Sequence, residues 1–151
     1  MTKEEFAARV VAQTDRMYRI AYAMLYNDQD CRDAMQESAL KAWEKRKSLR
    51  QEPYFETWLI RILINECKTI LRRRRPQVSL EEIREQCVLP PDPALSIALQ
   101  RLPEMLRLPL VLHAREGMTY DEIARVMHLP QTTIVGRIHR AKKQLRKELT
   151  V

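Results

Sequence analysis

The sequence predicts an all-α protein made of two small helical domains joined by a flexible linker, the C-terminal domain being a helix-turn-helix. Three observations carry this expectation. Apolar residues recur at helical spacing through most of the chain, and no stretch alternates as a strand would. Two glycines against eight prolines in 151 residues exclude a turn-rich all-β fold and a glycine-rich phosphate loop. Between Pro76 and Pro93 the segment PQVSLEEIREQCVLPPDP holds four prolines and loses the strong periodicity. That places a first domain at 1–76, a linker at 77–92 and a second domain at 93–151.

Thr2 and Glu5 have capping-box spacing, and Phe6, Val10, Met17, Ala21 and Met24 follow on one helical side. They predict a first helix ending near Tyr26. Asn27 or Asp28 can cap a second, Gln29 to about Lys47, whose apolar side uses Cys31, Met35, Ala39, Ala42 and Trp43. A short loop with Pro53 leads to FETWLIRILINECKTILRRRRP. There Phe55, Trp58, Leu59, Ile62, Leu63, Ile70 and Leu71 fall at helical spacing and Pro76 closes the helix. The linker has room for one short helix. Asp92 caps the next helix and Pro93 takes its first position, the helix running from Ala94 to Arg101. A helix from Pro103 to Glu116 is ended by Gly117 and is expected to kink or split at Pro109. Two more follow, Tyr120–Met127 and Gln131–Leu149.

The last pair is the most specific stretch. Thr119 and Glu122 form a second capping-box pattern, and HLP is a three-residue turn. His128 stands in that turn, where a left-handed backbone is often required, so a backbone role is expected of it rather than a chemical one. The final helix buries Ile134, Ile138, Ala141, Leu145 and Leu149. Its outward face carries Thr132, Gly136, His139, Arg140 and Lys143, small and polar residues first and cations after. In a major groove the former meet base edges and the latter meet phosphates. An ordinary αα-hairpin with a solvated basic face is the bland alternative.

Charge points the same way. The net charge is +7 with a pI near 9.6, which favours a polyanionic partner. On the arginine-ended helix, Arg61, Asn65, Lys68 and Arg72 form a polar, cationic stripe that Arg73, Arg74 and Arg75 extend. Tyr54, in the loop before it, has the chemistry to stack an unpaired base. The second helix instead gathers Asp33, Gln36, Glu37, Leu40 and Glu44 on one face. Leu40, apolar among acids, reads either as part of a docking surface for a basic partner or as a passenger on a solvated face.

Several motifs in one order make the chain resemble the extracytoplasmic-function class of bacterial sigma factors. NDQDCRDAMQESALKAW looks like the family's core-polymerase-binding helix, through Asp33, Gln36, Glu37 and Trp43. FETWLIRILINECKTILRRRR looks like the segment that opens and reads the minus-ten element, through Phe55, Trp58, Leu59, Arg61, Ile62 and Asn65. LQRLPEMLRLPLVLHAREGMTYDEIA and the helix-turn-helix resemble the domain reading the minus-thirty-five element. Leu102, Pro103, Arg107, Gly117, Tyr120, Glu122, Thr133, Arg137 and Ala141 are among the matching positions. Thr69, His128, Val135 and Gly136 depart from the common pattern, the last two within the recognition helix.

The resemblance implies a promoter-recognition subunit that binds core RNA polymerase and promoter DNA and is held inactive by an anti-sigma factor. Its polymerase-binding residues would be Asp33, Gln36, Glu37 and Leu40. Its minus-ten contacts would be Tyr54, Arg61, Asn65, Lys68, Arg72, Arg73, Arg74 and Arg75. Its minus-thirty-five contacts would be Thr132, Thr133, Val135, Gly136, Arg137, His139, Arg140 and Lys143.

Other classes find less support. A one-component helix-turn-helix regulator with a ligand-binding or dimerising N-terminal domain is the second reading. A nucleic-acid-processing enzyme would need a carboxylate cluster, and Asp28, Asp30 and Asp33 sit at a helix start, where acids serve the dipole. No catalytic residue, metal site or cofactor is expected. Cys31, Cys67 and Cys87 are widely spaced and are expected as reduced, mostly buried thiols. No apolar run is long enough for a membrane span, and the expected location is the cytoplasm.

Overall fold

The computed structural model describes residues 1–74 and 93–150. All regular structure among them is helical. The chain divides into two compact units, Met1–Val78 and Ser79–Val151.

The first unit contains α1 (Lys3–Ala12), α2 (Thr14–Leu25), α3 (Asp28–Glu44) and α4 (Phe55–Arg73), with short 3-10 turns at Arg46–Ser48 and Glu52–Tyr54. The expected first helix is in fact two. Gln13 leaves helical geometry at φ −97°, ψ 2° and Thr14 begins again. No proline or glycine forces the break. It lets α1 and α2 bury their apolar residues separately: Phe6 packs edge-on against Trp43 and Phe55, while Met17, Ile20, Met24 and Leu25 fill the core between α2, α3 and α4. Thr2 and Glu5 make the reciprocal capping box, and the Asn27 side chain accepts from the Asp30 amide to start α3.

α3 ends at Glu44, earlier than expected, and its buried line is Cys31, Ala34, Ser38 and Ala42. Met35, Ala39 and Trp43 are only half-buried. Small residues let α3 lie close against its neighbours. Ser38 is tolerated there because its hydroxyl donates to Ala34 O at 2.5 Å. α4 is buried along Phe55, Leu59, Ile60, Leu63, Ile64 and Cys67. Glu66 is buried too, and it pairs with Lys41 of α3.

The second unit holds α5 (Pro93–Arg101), α6 (Glu104–Ala114), α7 (Tyr120–Met127) and α8 (Gln131–Leu149). Pro93 opens α5 as expected. Asp92 and the short linker helix lie outside the described residues. Pro109 does not split α6, which runs unbroken through it with Leu108, Pro109 and Leu110 all buried. Burial of this apolar stretch outweighs the one backbone bond that proline cannot make. Gly117, at φ 70°, turns the chain out of α6, and the Met118 amide returns to Leu112 O.

Arg107 is buried in this unit. Its Nη1 donates to Leu102 O at 2.8 Å and, more weakly, to Gln100 O at 3.4 Å and Leu99 O at 3.5 Å. One side chain of α6 thereby satisfies the carbonyls that α5 leaves open at its C-terminus. Along α8, Ile134, Ile138 and Ala141 are buried, Leu145 is half-buried, and Leu149 is 46% exposed. The expected apolar stripe is therefore uncovered in its last turn.

Candidate polymerase and nucleic-acid interfaces

Three surfaces gather the residues singled out by the sequence. The first is the outer face of α3. With Cys31, Ala34, Ser38 and Ala42 turned inward, helical geometry directs Asp33, Gln36, Glu37 and Leu40 to solvent, and all four are exposed. Leu40 is 56% exposed, a large apolar side chain beside carboxylates. Asp33 accepts from Gln29 Nε2 at 2.9 Å, which leaves the acidic face at the surface.

The acids at the start of α3 have structural duties instead. Asp28 accepts from Tyr18 Oη at 2.7 Å and pairs with Arg32 at 3.0 Å. Burial, and then the bond to Asp28, push the Tyr18 phenol up to about 12. Among the described residues no group of three or more His, Cys, Asp or Glu is placed to hold a metal ion.

The second surface is the outward side of α4 with the loop before it. Tyr54 is 45% exposed at the helix entrance, while Phe55 is buried and Trp58 half-buried. Arg61, Asn65, Arg72 and Arg73 are exposed and Lys68 is half-buried. Arg72 lies along its own helix, its Nε donating to Lys68 O at 3.3 Å and its Nη2 to Thr69 Oγ1 at 3.4 Å. Arg74 differs from the expectation. Its Nη2 and Nε both donate to Asp30 Oδ2, at 2.6 and 3.3 Å, so it ties the end of α4 to the start of α3 rather than extending the free stripe. Arg75 lies outside the described residues.

The loop is held from behind by α1. Arg9 Nη2 donates to Glu52 O at 3.0 Å and pairs with Glu56 at 3.2 Å, and its guanidinium lies 4.4 Å from the Phe55 ring centre. A cavity of about 310 Å³ opens beside it, with Phe6, Phe55, Trp58 and Leu49 as walls and Arg46 and Lys47 among its lining. The Arg46 guanidinium lies 3.8 Å from the Trp43 ring centre. Nothing in the local sequence signals Arg9. Its partners lie more than forty residues away, so only the fold reveals it.

The third surface is the helix-turn-helix. Thr119 and Glu122 make the expected capping box. His128 sits in the left-handed region at φ 56°, ψ 45°, and the amides of His128 and Leu129 both return to Ala124 O. The turn is short because His128 reverses the chain in a single residue. On α8, Thr132, Val135, His139, Arg140 and Lys143 are exposed, and Thr133, Gly136 and Arg137 are half-buried. His113, elsewhere in the unit, bonds Met118 O through Nδ1 at 3.0 Å and stacks on Tyr120 at 4.5 Å between ring centres, fixing the entry to α7.

Comparison with known proteins accounts for this arrangement. Residues 10–77 match the family described as Sigma-70 region 2, and residues 94–145 match Sigma-70, region 4. The ECF RNA polymerase sigma-E factor of Haemophilus influenzae is 33% identical over 80% of this chain and 75% of that protein. The RNA polymerase sigma-H factor of Pseudomonas aeruginosa is 30% identical over 97% of this chain and 87% of its own length. The chain belongs to the extracytoplasmic-function (ECF) sigma factors.

For the ECF sigma factor SigW of Bacillus subtilis the identity is 29% over 97% of this chain and 90% of that one. The sigma factor RpoE of Bartonella quintana, solved in complex with the anti-sigma factor NepR, shares the fold. Its TM-score is 0.82 at 22% identity, over 98% of both chains. CnrH, solved with the cytosolic domain of CnrY, gives a TM-score of 0.78 at 25% identity over 98% of this chain and 89% of that one. This ECF factor is thus a promoter-recognition subunit of RNA polymerase, of a family whose members are DNA-recognition subunits rather than enzymes. A one-component regulator would leave the region 2 match unexplained. No described helix is long and apolar enough to cross a membrane.

Proposed function

We propose that this ECF sigma factor divides its work as follows. Residues 1–76 bind core RNA polymerase and the minus-ten element, 77–92 link, and 93–151 read the minus-thirty-five element. The α3 face of Asp33, Gln36, Glu37 and Leu40 docks on a basic surface of the polymerase, with Leu40 as the apolar centre of an acidic patch. Arg61, Asn65, Lys68, Arg72 and Arg73 follow the backbone of the melted strand, and Tyr54 stacks one of its bases. Arg74 braces α4 through Asp30. On α8, Thr132, Thr133, Val135, Gly136 and Arg137 meet base edges, and His139, Arg140 and Lys143 meet phosphates.

The observation that carries this reading is the separation of charge within one small unit. An acidic face with an exposed leucine lies on α3, and a cationic stripe runs along the neighbouring α4. A protein that bound only DNA would have no use for the former. The polymerase performs the chemistry, so no catalytic residue or cofactor is assigned to this chain. It acts in the cytoplasm, and by analogy with the sigma factor RpoE solved in complex with the anti-sigma factor NepR, an anti-sigma partner binds it.

The test is transcription in vitro with purified core polymerase on sheared genomic template, followed by mapping of the 5′ ends. A defined set of starts that needs this chain and shares two spaced upstream elements supports the proposal. Starts that are unchanged when the chain is omitted overturn it.

A further inference from the structure

Gly136 lies in the interior of α8, yet nothing among the described residues requires a glycine there. A Cβ built on it would meet only Arg140 Nη2 at 3.9 Å, an ordinary contact with the tip of a movable side chain. Proline aside, glycine is the least favourable residue for a helix interior, so the protein alone would be better served by almost any other. Directly before it stands Val135, a β-branched apolar side chain 41% exposed, on the side of α8 that also carries Thr132 and His139. The rest of that face is hydroxyl, imidazole and cation.

An exposed valine and a helix glycine with no internal reason, side by side, describe a patch shaped for close approach. The glycine removes the side-chain atom that would hold the backbone away from an opposing surface at that position. The valine then presents its methyl groups at the point of closest approach. In a major groove the one apolar feature of the base edges is the 5-methyl group of thymine.

We propose that Val135 and Gly136 together read one thymine of the minus-thirty-five element. Gly136 admits the backbone of α8 deep into the groove, and Val135 packs on the thymine 5-methyl group. The proposal deepens, and rests on, the assignment of α8 to the promoter duplex. Arg140 fits it as well. Its Nε donates to Gly136 O at 3.4 Å in the free protein, so its guanidinium covers the glycine until a phosphate draws it aside.

The probe is a promoter duplex taken from the mapped transcription starts, bound by holoenzyme reconstituted from the full chain and core polymerase. Each thymine of the minus-thirty-five element is replaced in turn by deoxyuridine, which deletes only the methyl group. One position should weaken binding about fourfold, the worth of one buried methyl. Val135→Ala should bind the thymine duplex less tightly and lose the difference between thymine and uracil at that position. Gly136→Ala should raise the melting temperature of the full chain and weaken binding to both duplexes alike. Uracil tolerated everywhere by the unaltered protein, or a thymine preference surviving in Val135→Ala, overturns the proposal, as does Gly136→Ala binding that matches the unaltered chain. Shuffling the whole element separates the two levels of failure. Binding abolished by shuffling but indifferent to uracil sinks the methyl reading alone, whereas binding indifferent to shuffling sinks the assignment of α8.

Discussion

Arg72→Gln and Arg74→Gln are expected to fail in different ways, although the two residues stand in one run of arginines. Arg74 reaches across to α3, where both of its bonds fall on Asp30 Oδ2 and each partner is less than a third exposed (23% and 31%). Its loss should cost more than the ~0.2–1 kcal/mol of an exposed pair and less than the ~3–5 kcal/mol of breaking a fully buried one, hence about 1–2 kcal/mol. At about 4–8 °C per kcal/mol for a unit of this size, the melting temperature should fall by about 4–16 °C. Among the described residues Arg72 bonds only within its own helix, so its replacement should change stability by less than about 0.5 kcal/mol.

DNA binding should sort the same two variants in the opposite order. Each phosphate that the protein no longer neutralises lowers the log–log salt slope by ~0.9 on duplex or ~0.7 on single strands. Between about 50 and 200 mM salt that is a difference of about three-fold in affinity per phosphate. Arg72→Gln and Arg73→Gln should each show it, and Arg74→Gln should leave the slope where it was. Far-UV circular dichroism melts and a salt titration of holoenzyme on a promoter duplex measure both quantities on the same variants. A slope lowered as much by Arg74→Gln as by Arg72→Gln, with melting unmoved, would refute the bracing role.

Reversing charge at Asp33 and Glu37 to Lys should abolish co-elution with core polymerase while leaving the helical signal intact, because both side chains are exposed; normal assembly would place docking elsewhere. Arg107→Met should destabilise the chain by about 2–4 kcal/mol, since it orphans carbonyls at the end of α5, and Arg107→Lys should recover part of that; an unchanged denaturation midpoint for Arg107→Met would remove the capping role. Burial pushes the Cys31 thiol from 9.0 up to about 12, so it should resist alkylation in the native protein at neutral pH. The unfolded chain loses this proton first, so the stabilisation is full below 9.0 and disappears as the pH rises toward about 12. The stability difference between the unaltered chain and Cys31→Ala should narrow across that window, and a constant difference would show that the thiol titrates normally.

The helix-turn-helix was legible almost to the residue because every signal for it is local. Thr119 and Glu122 cap within one turn, Ile134, Ile138 and Ala141 repeat at helical spacing, and a three-residue turn leaves His128 little choice but a left-handed backbone. What could not be read is what tertiary packing decides. Apolar periodicity continues across Gln13, so only the different directions in which Phe6 and Met17 are buried reveal two helices. Four consecutive arginines look alike in sequence, and a partner 44 residues away singles out Arg74. Glu66 is buried against α3 and pairs with Lys41, a partner 25 residues away that no local pattern signals. Leu149 keeps the apolar spacing but stays 46% exposed at the end of α8.

The ion pair between Lys41 and Glu66 sits between the two helices to which docking and strand capture are assigned. The hydrogen bond to the Glu66 carboxylate raises the Lys41 ammonium pKa, so this pair holds the two helices together. Together with the shared apolar core of α3 and α4 it makes the first unit a gauge block. On the proposed docking of α3, α4 would have no separate freedom to slide along the strand. The distance from the captured bases to the first templated nucleotide would then be set by the thickness of this one unit. Start-site choice would rest on the shape of the unit as well as on the bases it reads.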